Sequence, residues 1–470
     1  MKYDLIVIGG GSGGLTAAAG AASFGAKVAL IDKRETLGGD CLHVGCVPSK
    51  ALIHQANEFY TGKKTALKYG TELNVDFDGI KQSVQKAVET IQHHDSDERF
   101  EELGVHIFHG QAEFTGAHKV KVNGQILKGK RIVIAVGSSP LSPDIEGLKE
   151  AGFQTNETIF TMDAFPNRLA IIGGGPIGVE MGQAFARMGS RVTIIDRSGK
   201  ILSKEDDDVR DFMTEELSKE LDILSSTEVA KVTLSGEGKV LHLKSGGREE
   251  MLEVDDILLA MGRVPNTKSL HAERAGVELN EKGHVKVNDY LQTSKKHIFA
   301  AGDVTGEYIF THAAGQEGKT IVQNAVFGVK SKISYENMPW NVYTRPEVFH
   351  LGLTEKEAKE QGEEITVYKK KLEEVDRFVT EEETGFVKLI MDKKGNILGA
   401  HAVGQGAGDW MQTVVFAKSS GKKLRSLSGM VYPYPNRAAA IQSAADLYWR
   451  EKLFDGALKK WAGRYIKWFR

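Results

Sequence analysis

Cysteine is nearly absent, with two in 470 residues, which is too few for a disulfide framework. Proline is scarce at 10, and no low-complexity tract or block of one charge interrupts the chain, which argues against a disordered protein. No apolar run reaches the roughly 18 residues of a membrane-spanning helix. The net charge is only −2, from 61 basic against 63 acidic residues, so no overall field draws nucleic acid and none is expected as a partner. Tyr3–Gly9 (YDLIVIG) has no signal-peptide anatomy, and the expected compartment is cytoplasmic. What the chain does have is glycine, 52 residues of it, and part of the cause is local.

The segment Ile8–Lys33 (IGGGSGGLTAAAGAASFGAKVALIDK) returns 164 residues later as Ile172–Arg197 (IGGGPIGVEMGQAFARMGSRVTIIDR), gap-free and identical at 10 of 26 positions. Each copy reads as an apolar strand, a helix of small residues closed by Gly25 or Gly189, and a β-rich strand, that is, βαβ twice. Each turn is G-x-G-x-x-G: Gly9, Gly11 and Gly14, then Gly173, Gly175 and Gly178. The first glycine allows the tight turn, the second lets backbone approach a pyrophosphate, and the third lets helix pack on strand. The phosphates then face unpaired N–H groups at a helix N-terminus. Eighteen residues past each last glycine stands an acid, Asp32 and Asp196, placed to accept from ribose hydroxyls. Two such units in register predict two bound dinucleotides and an α/β fold with two Rossmann-like domains. Arg131–Gly137, Asp256–Gly262 and Lys296–Asp303 read as further strands running into turns, and from about residue 338 alternating strands and then helices read as a separate α+β domain.

Cys41 and Cys46 lie in GGDCLHVGCVPSKAL, just past the first acid-tipped strand. A bridge between them closes six residues and would contribute about 2 kcal/mol, little for so long a chain. Cys41, His43 and Cys46 could offer three ligands to a metal, but a closed structural zinc site needs four. A dithiol that opens and closes during turnover fits the spacing best, its thiolate favoured by Lys50 and a nearby helix start.

With GGDCLHVGCVPSK, IFAAGDVTG (Ile298–Gly306), VYTRPEVFHLGLTEKEA (Val342–Ala358) and GGGPIGVE (Gly173–Glu180), the chain resembles the FAD-dependent pyridine nucleotide–disulfide oxidoreductases. That family includes glutathione reductase, dihydrolipoamide dehydrogenase and mercuric reductase. The resemblance implies an FAD-binding section at 1–148 and 266–337, an NAD(P)-binding section at 149–265 and a dimerisation domain at 338–450. A basic amphipathic tail at 451–470 follows. It also implies a homodimer. Cys46 would be the thiolate beside the flavin, Cys41 the outer thiol that exchanges with substrate, and Lys50 with Glu180 an ion pair beside the ring. Asp303 would bind the ribityl chain and Ala112 the adenine side by its backbone. Lys33, Gly39, Gly137 and Thr311, with Val229 and Gly262, complete the implied cofactor contacts. At Asp196 the carboxylate suits the free 2′-OH of NADH and repels a 2′-phosphate. Arg197 and Arg263 would partly offset that repulsion, so NADH is expected and NADPH is the alternative.

Other positions depart from the family. Its C-terminal H-P-x-x-x-E is replaced in VYPYPNRAA, where Tyr434 stands at the histidine and Ala439 at the glutamate. A phenol of reference pKa about 10 is a poor acid–base relay near neutrality, which counts against dihydrolipoamide dehydrogenase and glutathione reductase activities. By resemblance Tyr434–Pro435 keeps a cis peptide. No cysteine beyond Cys41 and Cys46 exists for a C-terminal metal relay, which counts against mercuric reductase proper and the high-molecular-weight thioredoxin reductases. Asp40 and His43 replace commoner Thr and Asn, and His93-His94-Asp95 reads as a helix cap. The expected function is therefore NADH oxidation through FAD and the Cys41–Cys46 pair, with a small-molecule or metal-ion acceptor: a metal ion, a persulfide or small disulfide, or a quinone. NADH–quinone diaphorase activity direct from flavin and a non-catalytic redox-sensing flavoprotein are the alternatives. No resident metal is expected. The tail from Trp449 to Arg470 holds seven basic and two acidic residues. With Phe454, Leu458, Trp461, Tyr465 and Trp468 on one helical face and Lys460, Arg464 and Lys467 elsewhere, it is a candidate for weak peripheral membrane contact, against packing on its own dimer.

Overall fold

The computed structural model describes residues 1–236, 238–451, 453 and 457–469. Two compact units emerge, Met1–Gly199 with Leu221–Tyr335, and Lys200–Glu220 with Glu336–Arg470.

In the first unit the two repeats build the parallel portions of two sheets, the first of which also carries two antiparallel strands. Strand β1 (Lys2–Ile8) leads through helix α1 (Ser12–Ser23) to β2 (Val28–Asp32), and then to helix α2 (Cys46–Lys68), β3 (Val105–His109) and β4 (Gln125–Ile134). The second repeat supplies β5 (Arg168–Ile172), helix α3 (Pro176–Met188), β6 (Arg191–Ile195), β7 (Asp222–Leu224) and β8 (Asp256–Leu259). The spatial order is β3-β2-β1-β4 in one sheet and β7-β6-β5-β8 in the other, and every one of these pairings is parallel. The duplication seen as letters is thus a duplication of topology. Strand β9 (Ile298–Ala300) adds to the free side of β4, and helix α4 (Thr311–Val326) follows it.

On β1, Ile6 and Ile8 point into one apolar cluster and Leu5 and Val7 into another. That is the two-residue period of a strand buried on both faces, as expected of a parallel sheet. The observed strands are shorter than those read from sequence, Asp256–Leu259 and Ile298–Ala300, because the glycines at their ends belong to the turns that follow.

The second unit is a five-stranded antiparallel sheet of β10 (Pro339–Val342), β11 (Glu347–Gly352), β12 (Ile365–Lys371), β13 (Phe386–Asp392) and β14 (Ile397–Gly404), ordered β10-β11-β14-β13-β12. Its apolar cluster takes Phe349, Leu389 and Ala402 from the sheet and Ile441 and Ala444 from helix α5 (Ala439–Arg450). Segment Lys200–Glu220, assigned by sequence to the NAD(P)-binding section, groups here because its acids are held by charge. Lys388 on β13, 2% exposed, donates to Asp206 Oδ1 at 2.8 Å and pairs with Asp208 and Glu355 at 3.1 and 2.6 Å. Glu205 accepts from Trp340 Nε1 at 2.7 Å and pairs with His350 Nδ1 at 2.9 Å. Tyr434–Pro435 is cis, as the resemblance implied.

Helix α6 (Ala457–Phe469) closes the described chain. Phe454 and the side chains of Leu458 and Lys460 fall outside the described residues. No described helix is long and apolar enough to cross a membrane.

Candidate active site

The third glycine of each turn has a steric reason: a Cβ on Gly14 or Gly178 would sit 1.9 Å from the carbonyl oxygen of Gly9 or Gly173. The second glycine has none inside the protein. A Cβ on Gly175 would meet nothing within 4 Å, and one on Gly11 only the Cα of Gly39 at 3.9 Å. Open space above a glycine at a helix N-terminus is what a closely approaching pyrophosphate requires, so both turns fit a dinucleotide.

The two acids are held alike. Asp32 Oδ2 accepts from Gly10 N at 2.5 Å and Oδ1 from Arg34 N at 2.8 Å. Asp196 Oδ2 accepts from Gly174 N at 2.6 Å and Oδ1 from Ser198 N at 2.7 Å. In both modules the carboxylate braces the glycine turn. Lys33 is exposed, Ala112 is buried, and Gly137 and Gly262 adopt φ of +64° and +123°. Val229 buries its side chain in the apolar cluster of its sheet, which leaves only its main chain for a nucleotide.

Helix α2 begins at Cys46 after Gly45, with Pro48 in the first turn, where no amide donor is missed. The Cys46 sulfur therefore stands at the positive end of a 23-residue helix. Thr311, the first residue of α4, brings its hydroxyl to 3.3 Å from that sulfur. The Cys46 thiol is lowered to about 6, first because the Cys41 thiol hydrogen-bonds to it, then through Thr311 and the Lys50 charge, all against the opposing effect of burial. Cys41 is raised for the complementary reason, since its proton is held toward Cys46, and its partial burial adds to this. The asymmetry makes Cys46 the sulfur that ionises more readily and Cys41 the one that holds its proton. Lys50 Nζ donates to Glu180 Oε2 at 2.8 Å, with Glu180 only 5% exposed. The first module's cysteine helix and the second module's nucleotide helix meet in that pair.

Alkylation of the reduced enzyme by iodoacetamide is accordingly expected to follow one ionisation near pH 6, reactive above it and protected below. Lys50→Met removes a charge that favours the thiolate, so the midpoint moves upward. An unshifted midpoint would show that Lys50 does not sense the sulfur.

Three groups here escape a reading of the sequence. Asp40 pairs with Arg34 at 2.7 Å and also with Arg263. Arg263 donates Nε to Ser138 Oγ at 2.6 Å, and Ser138 donates to Asp303 Oδ2 at 2.5 Å. It also reaches Asn156 at 3.3 Å, whose amide donates to the Val44 carbonyl at 2.9 Å. The sequence offers Arg263 as a cation that softens repulsion of a 2′-phosphate near Asp196; its guanidinium is instead committed to both ends of the cysteine loop. The third is Glu317, fully buried, which accepts from Gly302 N at 2.5 Å and Tyr335 Oη at 2.6 Å and so fixes the turn carrying Asp303. Burial raises its carboxyl. His93–Asp95 forms a 3₁₀ turn between two helices, and the side chain that caps the second is Ser96, accepting from Arg99 N, so the three residues are a polar turn rather than a cap.

Tyr434 belongs to the second unit. It is 80% exposed and donates to Asp376 Oδ2 at 2.8 Å, a bond that raises its phenol further. Among the described residues, Glu205, His350 and His401 bring three potential metal-ligating atoms within 4.8 Å of one another. Trp340 and His350 already occupy both Glu205 oxygens, so that carboxylate is satisfied without a metal.

Residues 3–318 match the family described as pyridine nucleotide-disulphide oxidoreductase, and 338–445 match its dimerisation domain. The chain is 34% identical to a mercuric reductase from Staphylococcus aureus over 94% of its own length and 82% of the relative's. It is 30% identical to dihydrolipoyl dehydrogenase 1, mitochondrial, from Arabidopsis thaliana, over 94% and 90%. Among solved structures, the Cu(II) complex of the HOCl-induced flavoprotein disulfide reductase RclA from Escherichia coli superposes with a TM-score of 0.85 at 28% identity. That match covers 95% of this chain and 99% of the other.

Proposed function

Because the chain belongs to the pyridine nucleotide-disulphide oxidoreductases, FAD-dependent enzymes with NAD(P)H as electron donor, we propose that it is an NADH-dependent reductase. In this reading the Cys41–Cys46 pair delivers electrons to a thiophilic metal ion, with a persulfide, a small disulfide or a quinone as the competing acceptors. The observation that carries it is the setting of the pair: Cys46 opens helix α2 with the Thr311 hydroxyl 3.3 Å from its sulfur and Lys50, held by Glu180, in the next turn, which lowers the Cys46 thiol relative to Cys41. FAD, when bound, supplies the two-electron link between the nicotinamide and the disulfide.

The protein's own groups do the rest. Gly9, Gly11 and Gly14 with Asp32 would seat the FAD, and Asp303 would hold its ribityl chain. Gly173, Gly175 and Gly178 with Asp196 would seat the nicotinamide nucleotide. Lys50 keeps positive charge beside Cys46, and Glu180 keeps Lys50 in place. As one Hg(II) ion takes two electrons, or two Cu(II) ions take one each, the S–S bond forms between Cys41 and Cys46 and the Cys41 proton leaves to solvent. A metal ion needs no proton in return, which suits a site where Tyr434 stands in place of a histidine relay. Soft thiolates select copper and its neighbours, and the relatives include mercuric reductases and a structure bearing Cu(II). NADH is the expected donor, because a carboxylate at Asp196 would repel a 2′-phosphate and Arg263 is engaged with Asp40. That leaves the neighbouring Arg197 to answer a 2′-phosphate.

An anaerobic stopped-flow screen of the NADH-reduced enzyme decides the acceptor. Cu(II) and Hg(II) are expected to reoxidise it faster than lipoamide or glutathione disulfide; the reverse order sinks the metal reading. Quinone reduction that persists in Cys41→Ser would favour direct transfer from flavin. Reduction by NADH with no acceptor turned over would favour a sensor.

A further inference from the structure

The matched dimerisation region ends at residue 445, and helix α6 (Ala457–Phe469) lies beyond it. The apolar cluster of the second unit likewise stops at Ala445, with Leu447 and Tyr448 packed against it. Helix α6 is therefore an addition to the matched fold, and its surface is unlike the rest of the chain. Trp461 is 64% exposed, Trp468 81% and Phe469 68%, with Tyr465 and Ile466 about half open. At 100° per residue Trp461, Tyr465, Trp468 and Phe469 share one face, while Lys459, Arg464 and Lys467 lie off it. The rings form a continuous stripe, with Trp461 stacked on Tyr465 at 5.4 Å and Tyr465 against Phe469 at 4.6 Å. No acid occurs between 457 and 469.

We propose that helix α6 docks the enzyme on an anionic phospholipid surface, lying in the plane of the interface. Thirteen residues make about 20 Å of helix, too short to span a bilayer but long enough to lay an aromatic stripe at the headgroup boundary. Trp and Tyr are the residues that settle at that depth. The cations flanking the stripe answer the negative lipid headgroups. A homodimer carries two such helices, so two weak contacts act together when both face one membrane. The contact does not rest on the identity of the acceptor: it would hold for a metal reductase, and it would bring a lipid-soluble quinone within reach of the alternative.

The test is cosedimentation of the holoenzyme with phosphatidylcholine vesicles containing roughly one third phosphatidylglycerol, with tryptophan emission as a second readout. Wild type is expected to bind with a blue-shifted emission, and at least about tenfold more weakly to pure phosphatidylcholine or in molar salt. The triple variant Trp461→Glu, Tyr465→Glu, Trp468→Glu, and independently a chain ending at Asp455, are expected to lose binding while keeping FAD, the dimer and NADH-dependent turnover in solution. Failure of wild type to bind anionic vesicles, or equal binding by the triple variant, overturns the proposal. So does conversion of the dimer to monomer by the triple variant, which would assign the stripe to the partner subunit.

Discussion

Serine at position 46 is expected to cut NADH-dependent reduction of the acceptor by about a thousandfold, near 4 kcal/mol of barrier, while NADH still bleaches the flavin at close to the wild-type rate. The hydroxyl cannot form the thiolate that Cys41, Thr311 and Lys50 stabilise, nor close a disulfide. Cys41→Ser should be equally dead toward acceptor but different in spectrum. Cys46 keeps its sulfur there, and because the introduced hydroxyl still donates to it the thiolate persists; Cys41→Ala, which removes that donor, moves its ionisation upward. If Cys46→Ser turned over acceptor within tenfold of wild type, the pair would not lie on the electron path.

The second large effect is on stability. Lys388→Met in the second unit is expected to cost about 3–5 kcal/mol, because it leaves Asp206, Asp208 and Glu355 without their buried cation. For a unit of this size that corresponds to a drop of roughly 10 °C in its melting transition, read by calorimetry on the holoenzyme. The wild-type carboxyl of Asp206 is lowered because His401 and then Lys388 outweigh burial, that of Asp208 because Lys388 and Lys369 do, and that of Glu355 because Lys359 and Lys388 hydrogen-bond to it. Their contribution is complete above the ordinary carboxylate range and fades as pH falls through the lowered values. The deficit of Lys388→Met should therefore be greatest near neutrality and shrink as the solution is acidified below that range. Asp206→Asn added to it should recover part of the loss. A variant as stable as wild type at pH 7 would show the cluster to be solvated.

The two nucleotide modules are legible in the sequence because each is local: strand, glycine turn, helix and acid fall within about 30 residues, and the second copy supports the first. The cysteine pair is legible for the same reason. The partners that tune it are not. Thr311 lies 265 residues from Cys46, and Arg263 lies 223 from Asp40; no periodicity links such distances. Thr311 enters only through the cofactor contacts that the resemblance implies, with no hint that it touches sulfur, and the sequence sets Arg263 beside the wrong acid. Glu317 looks like one more helix glutamate, and only its burial beside Gly302 reveals its work. The grouping of 200–220 with the C-terminal unit is likewise invisible, because it depends on Lys388, 180 residues from Asp208.

The matched hydrogen bonds of Asp32 and Asp196 limit what evolution or engineering can do at either acid. Each acid offers both oxygens to main-chain amides. An asparagine of the same shape would therefore turn an NH₂ group against an N–H in one of the two bonds, whichever way it rotated. Relaxing the choice of nucleotide by that smallest substitution would loosen the phosphate turn as well. A change of coenzyme must instead come with a rebuilt loop that supplies the turn's acceptor from elsewhere.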